Sequence, residues 1–152
     1  MNSNVSTYLT QQVMTASPAK LVSMLYDKLL ISLKETIAAI EKGEIEARWK
    51  ANARATEIIS HMWSTLDREK GGEIAKNLDG MFSFILMRLP DIDMRNDPEP
   101  AREAIGLLEP IAESWRVLAR GGAAQPAAAP AAAPAGAEPP AAPIAMPTSL
   151  SA

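Results

Sequence analysis

The sequence predicts an all-α protein: an antiparallel four-helix bundle with a short N-terminal cap helix and a disordered, Ala/Pro-rich C-terminal tail. Apolar residues recur at spacings of three and four over four long segments, the period of a helix face, whereas the alternation typical of strands is weak. The connections between the segments are short, which favours antiparallel neighbours. We therefore expect a cap segment at residues 1–16, the bundle at 17–120 and the tail at 121–152.

The first long helix is predicted from Ser17, a natural N-cap, and Pro18, which suits the first helical position. It is expected to run to Glu41 and to end at Gly43. Its predicted core stripe is Leu21, Leu25, Leu29, Leu33, Ile37 and Ile40. A weaker helical stretch around Tyr8 to Val13 precedes it and is too short to be stable alone.

A charged elbow, Leu66 to Leu78, separates the second and third predicted helices and contains the pair Gly71-Gly72. Glycines allow the chain to reverse, and Glu73 follows where a helix N-terminus favours a carboxylate. The second helix is predicted at 44–66, with a stripe of Ile45, Trp49, Ile59, Met62, Trp63 and Leu66. The third is predicted from Gly72 to a stop at Pro90, with a stripe of Ile74, Leu78, Phe82, Ile85 and Leu89.

The fourth helix is predicted to begin near Pro98 and to continue past Pro110 with a kink, because proline removes one helical hydrogen bond. Its stripe keeps its phase through Ala101, Ile105, Leu108, Ala112, Trp115 and Ala119. After it the composition changes to Ala and Pro, which cannot bury a core. The main interpretation of this tail is a solvated spacer, and the alternative is a docking role for Ile144, Met146 or Leu150.

Composition and motifs favour binding over catalysis. The net charge is −3, which gives no footprint for nucleic acid or an anionic membrane, and no apolar run is long enough for membrane insertion. There is no cysteine and no secretory signal pattern, so a cytoplasmic protein is expected. His61 is the only histidine, and no metal site, cofactor or catalytic grouping is predicted around it. An enzyme is therefore not expected.

Several apolar residues lie off the predicted core stripes and are candidates for a partner surface. Phe82 and Phe84 lie about 200° apart on a helix, so both cannot face one core. The third helix is apolar nearly all round, which predicts a central position in the bundle. The chain also has eight methionines, a residue type suited to adaptable grooves that receive partner helices. The off-stripe positions include Val22, Met24, Tyr26, Ile31, Ile58 and Phe84.

Three segments carry a resemblance to a known family. They are Ala16 to Asp27, the elbow Leu66 to Leu78, and the last helix with its lead-in, which contains Arg95-Asn96-Asp97, Gly106-Leu107-Leu108 and Trp115. On these motifs the chain resembles the flagellar secretion chaperone FliS family. One departure is Met81-Phe82-Ser83-Phe84, where the family usually has Leu-Tyr-x-Tyr, so two hydroxyls are lost.

The resemblance implies a cytoplasmic chaperone that binds the disordered C-terminal segment of flagellin, prevents its premature polymerisation and supports its delivery to the flagellar type III export apparatus. Contact with the export gate is a further implication, and Tyr8 and Val13 would be cap residues in the groove. The flagellin contacts expected here are Met24, Lys28, Ile31, Ile58, Met62 and Phe84. The alternative is a structural or regulatory bundle that self-associates through the same faces, with a weak homodimer as its simplest form.

Overall fold

The computed structural model describes residues 4–7, 10–11 and 16–121, and every regular element in these ranges is an α-helix. The all-α bundle predicted from the sequence is confirmed. Residues 4–7 and 10–11 are helical, and five further helices follow: α1 Pro18–Lys42, α2 Ile45–Ser64, α3 Gly72–Arg88, α4 Pro90–Arg95 and α5 Glu99–Ala119. The predicted tail and the cap residues Tyr8 and Val13 lie outside the described residues.

Both ends of α1 are as the sequence predicts. The Ser17 side chain accepts a hydrogen bond from the Lys20 amide at 3.2 Å, which satisfies one free N–H of the first turn. Gly43 ends the helix at φ 70°, a left-handed conformation that a residue with a Cβ adopts only with strain. The amide of Gly43 bonds Ile40 and the amide of Glu44 bonds Ala39, a Schellman ending that turns the chain directly into α2.

The four long helices form a ring in which each packs mainly against two neighbours. α1 packs along α2 and α5, and α3 packs against α2 and α5, which places α1 and α3 on one diagonal. The ion pairs Arg116–Asp27 and Arg102–Glu41 both join α5 to α1 with opposite chain directions, so these helices are antiparallel. The central position expected for the third helix is wrong, since Phe84 and Met87 of α3 are exposed and α1 makes the larger contacts.

The elbow between α2 and α3 is held by side chains as well as by glycine. Gly72 has φ 54°, so it makes the reversal. The Asp67 carboxylate accepts a hydrogen bond from the Lys70 amide at 3.0 Å, as aspartate often does in turns. Asp79 on α3 accepts hydrogen bonds from the Trp63 indole at 2.7 Å and from Arg68 at 2.7 Å. These bonds tie the end of α2 to α3 across the turn.

Helix α3 ends at Arg88, just before Pro90, as the sequence predicted, and Pro90 also begins a further short helix. It stands at the first position of the short helix α4, where its missing N–H costs nothing. Arg48 and Asn52 of α2 fix α4 in place, because both donate to the Asp93 carboxylate, at 3.1 and 2.9 Å. Asn52 also donates to the Leu89 carbonyl at 3.1 Å, so this short helix is joined to the bundle by polar contacts.

The core confirms the predicted stripe of α3 and corrects those of α1 and α2. All five predicted α3 positions are buried. On α1, Leu21 is exposed whereas Val22 and Tyr26, expected off the stripe, are in the core. On α2, Ile45, Trp49 and Trp63 are exposed, and the buried face is Arg48, Ala51, Asn52, Ala55, Ile59 and Met62. Two of these residues are alanines, whose small side chains permit close packing of α2 against its neighbours. Arg48 and Asn52 are buried because both bond Asp93, so the buried face of α2 is not its most apolar face.

Helix α5 runs without interruption through Pro110, as predicted. The Asp97 carboxylate accepts a hydrogen bond from the Glu99 amide at 2.9 Å and satisfies its first turn. Leu108, Ala112 and Trp115 are buried, as the sequence indicates. The kink expected at Pro110 stays a prediction.

Candidate binding surface

The described residues contain no grouping that suits metal chemistry or catalysis. No three His, Asp or Glu side chains among them are placed to share a metal ion. The chain's single histidine, His61, is exposed on α2. None of the described helices combines the length and the apolar character that crossing a bilayer requires.

The most continuous candidate surface runs along the outer face of α1 at its seam with α2. Leu21, Met24, Lys28 and Ile31 follow each other at spacings of three and four, which places them on one side of the helix. Leu21 is 40% exposed and Ile31 is 47% exposed, Met24 is half-buried, and Lys28 is exposed. We call these four residues with Ile58 the α1 face.

Ile58 belongs to this face because of the pairing between α1 and α2. The Glu35 carboxylate and the Arg54 guanidinium are 2.7 Å apart across the seam. In antiparallel helices, Ile31 lies one turn before Glu35 and Ile58 one turn after Arg54, so the two isoleucines lie at the same level. Four of the residues expected to contact the partner, Met24, Lys28, Ile31 and Ile58, are thus brought together.

The placement of Met62 differs from the expectation. Its side chain is 1% exposed and belongs to the core cluster with Ile59 and Leu66. Its burial agrees with its place on the predicted stripe of α2, whereas Trp63 of the same stripe is 37% exposed. No part of Met62 is available on the surface as described.

Phe84 lies on a different side of the bundle from the α1 face. It is 46% exposed on α3, which is diagonal to α1, while its neighbour Phe82 is fully buried. The prediction that the two phenylalanines face opposite ways is confirmed. The expected contacts are therefore distributed over two sides of the molecule.

Sequence patterns miss part of the exposed apolar surface. Leu21 is predicted in the core, although it forms one end of the α1 face. Ile45 and Trp49 are one turn apart on α2, and both are exposed. Nothing in the local sequence predicts their exposure, because Arg48 and Asn52 are buried in their place only through hydrogen bonds to Asp93, which lies on a distant segment. The other exposed large apolar side chains of the described helices are Val5, Met87, Met94 and Leu107.

Several charged side chains form ion pairs between helices. Partial desolvation of the Arg116 guanidinium acts to lower its pKa. Its hydrogen bonds to Asp27 and Glu113 outweigh this effect and raise the pKa above its ordinary value. Hydrogen bonds from Arg68 and then Trp63 lower the pKa of the Asp79 carboxyl. Lys28 makes no ion pair within the described part of the chain, so the α1 face carries one available positive charge.

Comparison with known proteins gives one consistent family. The family model described as "Flagellar protein FliS" matches residues 1–121. The "Flagellar secretion chaperone FliS" of Salmonella typhimurium is 38% identical over 108 residues, which cover 70% of this chain and 80% of the relative. The chaperones of the same name from Vibrio cholerae and Campylobacter jejuni are each 33% identical, over 68% and 72% of this chain and 76% and 85% of those proteins.

The family match covers the whole helical bundle and excludes an enzymatic assignment, because the family is one of chaperones. The motifs singled out in the sequence, the elbow above all, lie inside the matched range. The chain belongs to the FliS family of flagellar secretion chaperones.

Proposed function

We propose that this chain binds the disordered C-terminal segment of flagellin in the cytoplasm, keeps it from polymerising prematurely and supports its delivery to the flagellar type III export apparatus. The observation that carries the proposal is the α1 face, an exposed apolar strip on a chain of the FliS family. Exposed apolar strips on bundles are typical of surfaces that receive amphipathic helices.

The geometry of the α1 face suits a helical ligand. The strip is about three turns long from Leu21 to Ile31, because ten residues of helix rise roughly 15 Å. A ligand helix along it would place anchors at i, i+3 or i+4, and i+7 against the seam. Lys28 would pair with a carboxylate or with the carbonyl end of the ligand helix.

A single straight helix cannot cover both the α1 face and Phe84. Neighbouring axes in a bundle lie roughly 10 Å apart, so diagonal helices such as α1 and α3 are about 14 Å apart through the core. We propose that the flagellin segment contacts Phe84 with a second portion that wraps around the bundle. A segment that is disordered when free can do this, at the cost of its ordering entropy.

Titration calorimetry of the full chain with the C-terminal segment of flagellin from the same organism tests the proposal. Coupled folding and burial of apolar surface predict a negative heat-capacity change. Ile31→Asp should weaken binding about tenfold or more, since it places a carboxylate in an apolar contact. The matched control is Ala47→Asp, which adds the same charge at an exposed position of α2 beyond the α1 face.

Two outcomes would contradict the proposal. One is the absence of binding to any flagellin of the organism, and the other is equal binding by Ile31→Asp and Ala47→Asp. Sedimentation of the free chain separates self-association, because a stable dimer that flagellin does not dissociate would favour the alternative. Delivery is tested separately by secretion of flagellin from cells that carry Ile31→Asp, which should export less flagellin than cells with the control.

A further inference from the structure

A second exposed apolar surface lies at the opposite end of the bundle from the elbow. A groove of about 500 Å³ between α2 and α4 is lined by Asn52, Ala53, Thr56, Glu57, Pro90, Asp93 and Met94. We call it the α2/α4 groove. Met94 at its edge is 77% exposed, although methionine is normally buried.

The groove continues into an apolar stripe along α2. Ile45, Trp49 and Ala53 are spaced by four residues, so they follow one side of the helix. Trp49 is 58% exposed, and its indole N–H makes no hydrogen bond within the described residues. Arg48 beside Trp49 bonds Asp93 beside Met94, so the two exposed side chains lie at the same level.

We propose that the Pro-rich segment 139–147 of this same chain docks on the α2/α4 groove and Trp49. The segment reads Pro-Pro-Ala-Ala-Pro-Ile-Ala-Met-Pro and contains Ile144 and Met146, two of the few large apolar side chains after Gly121. Proline-rich segments bind grooves lined with aromatic side chains, because their extended conformation loses little entropy and their rings stack on indoles. Pro90 and Met94 line the groove, and the exposed Trp49 lies one turn of α2 from the lining residue Ala53.

The groove also offers polar complementarity to a peptide backbone. Asn52 is 3% exposed, and its Oδ1 has no hydrogen-bond partner while its Nδ2 donates twice. Asn52 lines the groove, but this Oδ1 is itself buried, so the exposed Trp49 indole N–H is the group of the two that is open to a docked peptide. The Trp49 indole suits a backbone carbonyl in turn.

The tail has the length needed to reach this groove. Helix α5 ends at the same end of the bundle as α2, because the antiparallel pairs α5–α1 and α1–α2 bring both C-termini beside the start of α1. Trp49 therefore lies about 15 residues, or roughly 22 Å, along α2 from that end, and roughly 25 Å away with the lateral offset. Gly121 and Ile144 are 144 − 121 = 23 residues apart, and a Pro-rich chain extends up to roughly 3.1 Å per residue, about 70 Å in all, so the segment can reach the groove.

The test places a spin label on the full chain, which has no native cysteine. Ala145→Cys carries the label inside the proposed docking segment, and Ala128→Cys carries it near the tail's origin as the matched control. The readout is paramagnetic broadening of the indole N–H signals of Trp49 and Trp63 in ¹⁵N spectra, without flagellin. Trp63 lies at the end of the bundle where the tail begins, so an undocked tail broadens Trp63 at least as much as Trp49.

Docking predicts that the label at 145 broadens Trp49 several-fold more than Trp63, and that Met94→Ser in the same labelled chain removes this excess. Met94 is on the surface, so its replacement leaves the core intact. Broadening of Trp63 equal to or greater than that of Trp49 would overturn the proposal. A second control mixes spin-labelled chain without ¹⁵N and ¹⁵N chain without a spin label. Trp49 broadening in this mixture equal to that in the doubly labelled chain would also overturn the proposal, because the contact would then join two molecules. The result does not depend on flagellin binding, so the two proposals fail separately.

Discussion

The hydroxyl of Tyr26 is the most informative single group for the stability of the bundle. Tyr26 is fully buried on α1, and its Oη has no hydrogen-bond partner among the described residues. A buried polar group without a partner costs about 1–3 kcal/mol. Tyr26→Phe removes that group and keeps the ring, and the small void that remains costs only about 0.2 kcal/mol. We expect the free energy of unfolding to rise by about 1 kcal/mol or more, which raises the Tm by roughly 4 °C.

The same burial makes a prediction about pH. Desolvation raises the pKa of the Tyr26 phenol above its ordinary value, so the folded protein keeps it neutral. In the unfolded chain the phenol ionises near pH 10. Below pH 10 the phenol keeps its proton in both states, so its ionisation takes nothing from the free energy of unfolding. Above pH 10 only the unfolded chain loses this proton, so the free energy of unfolding falls by about 1.4 kcal/mol per pH unit. The stability advantage of Tyr26→Phe should widen above pH 10, because the variant has no proton to lose there.

Denaturant unfolding of the full chain followed by circular dichroism, at pH 7 and pH 10.5, measures both effects. The midpoint should rise in Tyr26→Phe while the m-value stays unchanged. Phe82→Tyr is the matched reverse substitution, since it adds a hydroxyl to another fully buried ring and should lower the midpoint. A loss of about 1 kcal/mol or more in Tyr26→Phe at pH 7 would refute the reasoning, because the hydroxyl would then have a stabilising partner.

Three further substitutions separate the roles of other side chains. Asp93→Ala removes the charged one of the two acceptors of the nearly buried Arg48, the other being Asn96, and should lower the free energy of unfolding by about 2 kcal/mol in denaturant titrations. Ser17→Ala removes the cap of α1 and should cost about 1 kcal/mol, whereas Ser17→Asp should restore most of it, as thermal melts will show. Met62→Asp places a carboxylate in the core and should unfold the chain, whereas Ile31→Asp should leave the helicity unchanged, as measured by circular dichroism. Equal helicity in these last two variants would contradict the burial of Met62.

Much of the fold follows from local signals in the sequence. The limits of α1 depend on Ser17, Pro18 and Gly43, whose effects on the backbone are intrinsic to the residue type. The core stripe of α3 is equally direct, because its largest apolar residues have one helical phase. Such elements are predictable since the local preference and the tertiary environment agree.

The rotation of α2 could not be predicted in the same way. Its buried face contains Arg48, which is 9% exposed because Asp93 and Asn96 accept its hydrogen bonds from 45 and 48 residues away. Helical periodicity counts such a residue as polar and places Trp49 in the core instead. Met62, by contrast, has the burial that its place on the predicted stripe indicates, which removes it from the exposed surface on which a flagellin contact was expected.

The elbow identifies the family, yet its side chains act within the fold. Gly72 reverses the chain, Asp67 closes the turn, and Asp79 receives the Trp63 and Arg68 donors that join α2 to α3. These contacts fix the position of α3 relative to α2 and thereby the position of Phe84 relative to the α1 face. On the proposal that the flagellin segment wraps around the bundle, the segment must meet both surfaces at a fixed separation, and a loose elbow would add conformational entropy to the cost of binding. On that proposal, the most recognisable stretch of the sequence supports binding by fixing α3, which carries Phe84, relative to α2, which carries Ile58.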